Sequence, residues 1–369
     1  MTRLWRSPLV LACAAVLLAL SWQATKVHAL HHGQWTALFY TSSTAPVPPD
    51  LRPGTAVFPP GSDYDGQFYR YIAHDLWPPF EYSAYVDAPF NRYTRVLFPA
   101  LGRLLALGNP GWVDQGIIAA VLLTVFCGVF WSAQFFLLRN RAAAWGLLFL
   151  VLPATISSVD RLITDSLLAA LTVAFLRFSS ARALWPVAAA AALTREYGAV
   201  IAAALAFSTR RVVLYLTAAA PAVSWWILVW KYCPPGQPAR EFGFLPLALI
   251  HRIATPRAPW LLAVLDLMAI TGLVVCLVLV ARWAWPHRTE AAPLAVLLWS
   301  VLAMVTGGPN IMYEPFSWAR VFSPLFCWVL YESILRRTAT GVVAVLAVAA
   351  TPLAIDAKAL LIAIGLLGS

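Results

Sequence analysis

Long apolar runs separated by short polar connectors make up most of this chain. Such a run, folded as an α-helix that rises 1.5 Å per residue, crosses a hydrocarbon core of about 30 Å. The pattern predicts an all-α polytopic membrane protein with about 10 or 11 transmembrane or half-membrane helices. The predicted full spans are 8–22, 116–138, 142–159, 162–178, 212–230, 259–281, 291–306, 321–335 and 342–353.

Arginines occur in pairs in five of the short connectors, and the positive-inside rule places these connectors in the cytoplasm. Residues 25–115 then form a large first extracytoplasmic loop. Shorter outer segments follow at 160–165, 231–258 and 307–320. The paired residues are Arg139 with Arg141, Arg177 with Arg182, Arg210 with Arg211, Arg282 with Arg288, and Arg336 with Arg337.

The chain is predicted to form one integral membrane domain over residues 1–369. Residues 1–24 are its first helix or a signal anchor, 25–115 the first loop with interfacial helices, and 116–369 the remaining helices. The string Val27-His28-Ala29 resembles a signal-peptide cleavage site. We favour an uncleaved first helix, because many further spans follow it.

The stretch between Arg182 and Arg210 is too short for two full crossings, although both arginines are predicted on the cytoplasmic side. It therefore predicts a hairpin of two half-helices, 183–193 and 197–207, with Thr194-Arg195-Glu196 at the turn. The alternative is one continuous helix that carries Arg195 at mid-membrane.

Composition narrows the functional classes. The chain is 61% hydrophobic and only 11% charged, whereas a soluble domain carries about 25% charged residues. The net charge of +10 comes from basic residues scattered over short loops, so no nucleic-acid partner is expected. The five cysteines show no CxxC and no metal-ligand spacing, which argues against a redox role.

The first loop contains a candidate catalytic residue, Asp65. The sequence from Gly66 onward predicts a short helix, and Asp65 lies at its positive end, where a carboxylate is stabilised and its pKa is kept low. This setting suits a carboxylate that must be ionised to accept a proton. The alternative is that Asp65 only caps the helix.

Residues 90–105 predict an amphipathic helix on the outer surface, with Arg92, Arg95 and Arg103 on one side. Arginines in this position bind phosphate groups in a bidentate manner. Anchoring to lipid headgroups is the alternative, and we favour it for Arg103.

Two further carboxylates lie at the predicted mouth of two helices. Asp160 and Arg161 are either residues of a functional site or a surface ion pair that contributes little to stability. Asp165, within Thr164-Asp165-Ser166, is either a site residue or part of a helix cap.

Four other charged residues are candidates because a charge at membrane depth is costly and persists where it lines a polar cavity. Arg195 and Glu196 lie at the hairpin turn, and Glu314 and Arg320 lie in the last large outer loop. The alternative is that Arg195 pairs with Glu196, and Glu314 with Arg320, in ion pairs that only stabilise the structure.

Several strings resemble those of the GT-C class of membrane glycosyltransferases. The first-loop string Tyr64-Asp65-Gly66-Gln67-Phe68-Tyr69 resembles the acidic, aromatic element of that class. Together with Arg95-Val96-Leu97-Phe98-Pro99 it resembles bacterial cell-surface glycopolymer proteins of the class. Thr164-Asp165-Ser166-Leu167-Leu168 and Leu193-Thr194-Arg195-Glu196 look like the second acidic site and the basic residue after a half-helix.

The resemblance implies an enzyme of the bacterial inner membrane that transfers sugar on the extracytoplasmic side. The donor would be a polyprenyl-phosphate-linked sugar and the acceptor a cell-envelope glycan or lipid. Asp65 would be the general base, and Asp165 would position the acceptor or hold a divalent metal, the one cofactor considered. The resemblance assigns donor phosphate binding to Arg195, Arg320 and Arg95, and supporting roles to Tyr64, Gln67, Tyr69, Asp160, Glu196 and Glu314.

Two other classes of function share this composition. A polytopic transporter or lipid flippase would also contain a broken helix. A non-catalytic subunit of a polysaccharide assembly system would retain the same carboxylates. Detection of lipid phosphate released from a polyprenyl-phosphate sugar separates the transferase from both.

Overall fold

The computed structural model describes residues 7–61, 64–233, 242–255, 260–312 and 315–363. Its only sheet within these ranges is a short parallel pair, β1 (Thr41–Ser42) with β2 (Val57–Phe58). The α-helices are α1 (Pro8–Leu30), α2 (Gly66–His74), α3 (Pro89–Tyr93), α4 (Leu97–Leu105), α5 (Val113–Leu137), α6 (Pro153–Arg161), α7 (Asp165–Arg177), α8 (Ala181–Thr194), α9 (Ala199–Thr209), α10 (Val212–Tyr232), α11 (Leu245–Ala254), α12 (Trp260–Ala284), α13 (Ala291–Val305), α14 (Pro309–Met312), α15 (Pro315–Val321), α16 (Ser323–Arg336) and α17 (Ala339–Ala363).

Short 3-10 segments connect several of these helices. The longest, Ala143–Val151, precedes α6. The others are Trp35–Phe39, Glu81–Tyr85, Pro110–Trp112, Glu196–Gly198 and Trp285–His287.

In the described part of the chain, five helices are long and apolar enough to cross a membrane: α1, α5, α10, α12 and α17. The pair formed by Ala143–Val151 and α6 adds a sixth if it is one broken span. The prediction of an all-helical, polytopic membrane protein is confirmed at this level.

Several predicted full spans are shorter or broken. The predicted span 142–159 bends by 62° between the 3-10 segment and α6, where Leu152 is extended and Pro153 begins the new helix. The predicted span 162–178 is only α7, whose 13 residues rise about 20 Å and are buried by protein from Asp165 to Phe175. Its apolar surface therefore belongs to the interior of the bundle.

The predicted break in the helix near Arg195 is confirmed. α8 ends at Thr194, and Arg195 is extended, with φ −164° and ψ 151°. A Cβ on Gly198 would lie 1.9 Å from the carbonyl oxygen of Ala191, so the chain turns sharply and runs close to α8. The placement of both ends on one side of a membrane stays a prediction.

The last predicted span, 342–353, is longer than expected. α17 runs without interruption from Ala339 to Ala363 and includes Asp356, although Pro352 lies inside it. Asp356 and Lys358 therefore both lie within this one helix.

The first loop is folded and packs against the helix bundle. Arg70 of α2 forms a bidentate ion pair with Asp114 of α5, at 2.7 and 2.9 Å. α4 lies directly on α5, since a Cβ on Gly116 would come within 2.1 Å of the carbonyl oxygen of Gly102. These contacts hold the start of α2, and with it Asp65, in a fixed position.

The single amphipathic helix predicted over 90–105 is wrong. The segment forms α3 and α4 with a break between them, and Arg92 and Arg95 point into the protein, where they meet carboxylates. Buried guanidiniums need anionic partners, so Arg92 and Arg95 pair with carboxylates inside the protein instead of lying on the outer surface.

Candidate active site

One guanidinium joins the two carboxylates singled out from the sequence. Arg320 of α15 donates from Nη2 to Asp65 Oδ2 at 2.7 Å and from Nη1 to Asp165 Oδ2 at 3.0 Å. Asp65 directly precedes α2, and Asp165 is the first residue of α7. Three segments that are distant in sequence thus meet at one side chain.

Each carboxylate also contacts a second arginine. Arg92 of α3 lies 2.9 Å from Asp65 Oδ1, and Arg195, at the break after α8, donates to Asp165 Oδ1. The result is a row of alternating charges, Arg92, Asp65, Arg320, Asp165 and Arg195, which we call the carboxylate–arginine cluster. Arg92 also pairs with the more exposed Asp87 at 2.9 Å, so three cations meet three anions when this outer carboxylate is counted.

The cluster is largely shielded from solvent. The side chain of Asp65 is 15% exposed, that of Arg320 9% and that of Asp165 2%. Burial by itself would raise the pKa of Asp65, but the guanidiniums of Arg320 and Arg92 outweigh it and hold that pKa well below its usual range. Asp65 is therefore ionised throughout the physiological pH range.

The interpretation of both carboxylates as helix caps is wrong. Asp65 occupies the N-cap position of α2 in a right-handed helical conformation and makes no side-chain capping hydrogen bond. Thr164, at the N-cap of α7, makes none either. The carboxylates of Asp65 and Asp165 turn away from the helix ends because the arginines offer stronger, charge-assisted hydrogen bonds.

Three side chains of the first-loop string were predicted to support the site. Tyr64 lies at the cluster, whereas Gln67 and Tyr69 pack behind it. The ring of Tyr64 lies 4.7 Å from the guanidinium carbon of Arg320 and 4.3 Å from that of Arg161. Gln67 is buried and accepts the backbone N–H of Ser42. Tyr69 is fully buried with its ring edge-on to Phe98.

Gly66 brings α2 against the end of α6. A Cβ at this position would lie 2.3 Å from the carbonyl oxygen of Arg161 and 3.1 Å from that of Phe39. Only glycine allows this approach without displacement of the backbone, so Gly66 fixes the distance between Asp65 and the helices that carry the second carboxylate.

Arg95 does not reach either carboxylate of the cluster. It pairs instead with Glu196, at 2.8 Å, and Glu196 lies 4.0 Å from Arg195. This pair ties the first loop to the break between α8 and α9. The predicted pairing of Arg195 with Glu196 is therefore only peripheral, since Arg195 mainly contacts Asp165.

Asp160 and Arg161 form an ion pair at 3.3 Å, as one of the two alternatives predicted, but it does not lie at the surface. Asp160 is buried, and its other oxygen pairs with Lys26 of α1. Lys26 was not among the predicted site residues. A lone lysine near the end of a predicted span was the available signal, because a buried cation needs an anionic partner.

Glu314, predicted to support the site, lies outside the described residues. Arg320, its predicted partner, forms ion pairs with Asp65 and Asp165. Arg92 was noted as a phosphate ligand in the sequence, but its direct contact with Asp65 depends on a turn of the loop that local patterns do not reveal.

A divalent metal at Asp165, one of the two roles considered for this carboxylate, does not fit this arrangement. Among the described residues, no group of three or more His, Cys, Asp or Glu side chains could hold a metal ion. Both oxygens of Asp165 face arginines. A cation at this position would meet positive charge on two sides.

No family model, no curated protein and no solved structure matches this chain.

Proposed function

We propose that the chain is a membrane glycosyltransferase that moves a sugar from a polyprenyl-phosphate-linked donor to a cell-envelope acceptor on the extracytoplasmic face. The observation that carries this proposal is Arg320, which lies between two carboxylates and is flanked by two further arginines. The arrangement combines a proton acceptor with cations suited to a phosphate leaving group.

The proposed reaction is a displacement at the anomeric carbon. Asp65 accepts the proton of the acceptor hydroxyl, and the oxygen of that hydroxyl forms the new bond to the anomeric carbon. The bond between this carbon and the donor phosphate oxygen breaks, and its electron pair leaves with the polyprenyl phosphate. Arg320 and Arg195 stabilise the charge that develops on the phosphate.

The ion pairs of Asp65 couple its basicity to the donor. While Arg320 and Arg92 contact Asp65, its low pKa makes it a weak proton acceptor. A donor phosphate attracts Arg320 away from the carboxylate, and burial then raises the pKa of Asp65. The base becomes effective when the donor is bound, which limits unproductive hydrolysis.

Asp165 has a different proposed role. Since it is almost fully buried and contacts both Arg195 and Arg320, it aligns these guanidiniums for the phosphate. Asp65, which is more exposed, is the carboxylate that an acceptor hydroxyl reaches.

A narrow apolar cleft of about 10 Å³ lies beside these arginines, and its walls would have to separate for a lipid chain to enter. Tyr197, which stacks near Arg195 at 5.6 Å, and Val321, which follows Arg320, both line it. Trp299 and Leu302 of α13 form its opposite wall. A polyprenyl chain placed here would carry its phosphate to the cluster.

The decisive experiment uses purified protein and radiolabelled polyprenyl-phosphate hexoses and pentoses, with an envelope extract as acceptor. We expect label in the acceptor together with release of polyprenyl phosphate, and loss of both in Asp65→Asn. Two broken helix pairs, around Leu152 and Arg195, are compatible with a lipid flippase. Movement of the labelled lipid across proteoliposomes without release of phosphate would support the flippase and contradict the transferase.

Sidedness has its own test in a cysteine-free background. A cysteine introduced at Leu107, exposed in the first loop, should react with an impermeant maleimide added outside intact cells. A cysteine at Asn140, between α5 and the Ala143–Val151 segment, should react only after lysis. The reverse pattern would place the cluster on the cytoplasmic side.

A further inference from the structure

A second basic feature lies at the far end of α16 from the carboxylate–arginine cluster. Arg320 is three residues before the start of α16 at Ser323, whereas Arg336 and Arg337 are at its other end. The 14 residues of α16 rise about 21 Å. The two features therefore face opposite sides of the bundle.

A cavity of about 470 Å³ opens at this end, between the connector after α5 and the junction of α16 with α17. Its size lies within the range of small-molecule and cofactor sites. Arg141 and Arg337 form its polar part. Trp145, Ile334, Val342 and Val343 contribute apolar surface, and Ser333, Thr338 and Ala339 complete the lining.

The described part of the protein does not neutralise the two lining arginines. Arg141 donates from Nη2 to the backbone carbonyl of Leu335, which fixes its direction, and its buried Nε has no hydrogen-bond partner in that part of the chain. Over the described ranges, neither Arg141 nor Arg337 forms an ion pair. Their neighbour Arg336 differs, because it pairs with Glu332 at 3.0 Å.

The start of α17 also borders the cavity. A Cβ on Gly341 would lie 2.0 Å from Ser333 Oγ, so the first turn of α17 lies directly on α16. The positive dipole end of α17 and the negative dipole end of α16 meet here and offset each other, so the positive potential comes from the two arginines. The buried Oγ1 of Thr338, just before α17, has no hydrogen-bond partner among the described residues.

The rest of the wall is apolar and faces outward. Trp145 is 43% exposed and Val343 62% exposed, and both lie in or beside segments predicted to contact lipid. A soluble phosphate compound would leave this surface uncovered. A molecule with an anionic head and a hydrocarbon chain would cover both parts of the cavity.

We propose that this cavity binds an anionic phospholipid, with its phosphate between Arg141 and Arg337 and an acyl chain along Trp145 and Val343. Basic pockets between transmembrane helices bind lipid headgroups by the same electrostatics. The site is independent of the proposed transferase, since none of its residues belongs to the carboxylate–arginine cluster.

The test measures binding of fluorescent phosphatidylglycerol and, separately, of fluorescent phosphatidylcholine to the delipidated full-length protein in mild detergent. We expect tighter binding of phosphatidylglycerol, and a loss of about tenfold or more in Arg141→Gln/Arg337→Gln, at roughly 1 kcal/mol per arginine. Arg210→Gln/Arg211→Gln removes an exposed basic pair before α10 and should change affinity by less than about twofold.

A single variant and a competition measurement make the result unambiguous. Arg337→Gln alone removes an exposed side chain, so it should keep the fold and still weaken phosphatidylglycerol binding several-fold. Equal binding of the two lipids, or full affinity in both Arg337→Gln and the double variant, would overturn the proposal. Complete competition by millimolar glycerol phosphate would also overturn it, because the site would then be one for a soluble anion.

Discussion

The carboxylate–arginine cluster and the Lys26–Asp160 pair are both buried and charged, but they differ in access. Lys26 and Asp160 are 5% and 1% exposed and join α1 to α6. In the cluster, Asp65 and Arg92 are 15% and 13% exposed. A sealed pair fastens helices, whereas a partly open cluster can exchange an internal partner for an anionic ligand.

Arg161 lies between the two features. It is 3.3 Å from Asp160 and stacks over Tyr64, whose ring also lies beneath Arg320. The Lys26–Asp160 pair therefore supports the cluster by fixing the position of Arg161, without contact with the reacting groups.

The largest expected effect on function is at Asp65. Asp65→Asn keeps the shape of the side chain but cannot accept a proton, so transfer should fall roughly 100-fold to 10,000-fold. The fold should persist, because Arg320 still forms its ion pair with Asp165. Arg92 likewise still forms its ion pair with Asp87, at 2.9 Å.

The measurement is label transferred by purified protein, with melting temperature measured in parallel. Asp75→Asn is the control, since Asp75 bonds to Tyr82 and Tyr93 away from the cluster. Near-normal turnover in Asp65→Asn together with an inactive Asp165→Asn would make Asp165 the base.

The largest expected effect on stability is at Lys26. Lys26→Met leaves the buried Asp160 without its main partner and should destabilise the protein by about 3–5 kcal/mol. Lys26→Met/Asp160→Leu removes both charges and should regain most of this loss. Thermal unfolding in detergent would measure both variants, and a single variant as stable as the wild type would show that the pair does not fasten α1 to α6.

A smaller loss is expected for Arg320→Lys. Lysine keeps the charge, but its ammonium cannot bridge two carboxylates with the geometry of a guanidinium, so we expect transfer to fall by about 10-fold to 100-fold. Arg336→Lys, which alters an arginine that pairs with Glu332 at the far end of α16, should leave transfer unchanged. Equal rates in the two variants would remove Arg320 from the mechanism.

The smallest effect concerns pH. Because the folded-state pKa of Asp65 lies below its usual value, its stabilising contribution is present above pH of about 4 and is lost as pH falls toward the folded-state pKa. The wild type should exceed Asp65→Asn in stability by about 1–3 kcal/mol between pH 5 and 8. This difference should narrow near pH 3, and a difference that grew on acidification would contradict the sign of the shift.

Local sequence patterns predicted several features of the structure correctly. The amphipathic run after Asp65 is α2, and the charged turn at Thr194-Arg195-Glu196 interrupts a helix as expected. Apolar length alone identified α5, α10 and α12 to within a few residues. These features depend on residues within one or two helical turns along the chain, so the local sequence is enough to predict them.

The sequence by itself determined a helical membrane protein and marked several of the costly charges, because a charge beside a long apolar run is visible in the local sequence. Only the tertiary structure decided which cation meets which anion. Arg320 reaches Asp65 across 255 positions, and Asp160 meets Lys26 across 134. The sequence of an apolar run likewise does not show whether lipid or protein will cover it. In the structure, α7 is covered by protein because neighbouring helices pack around it.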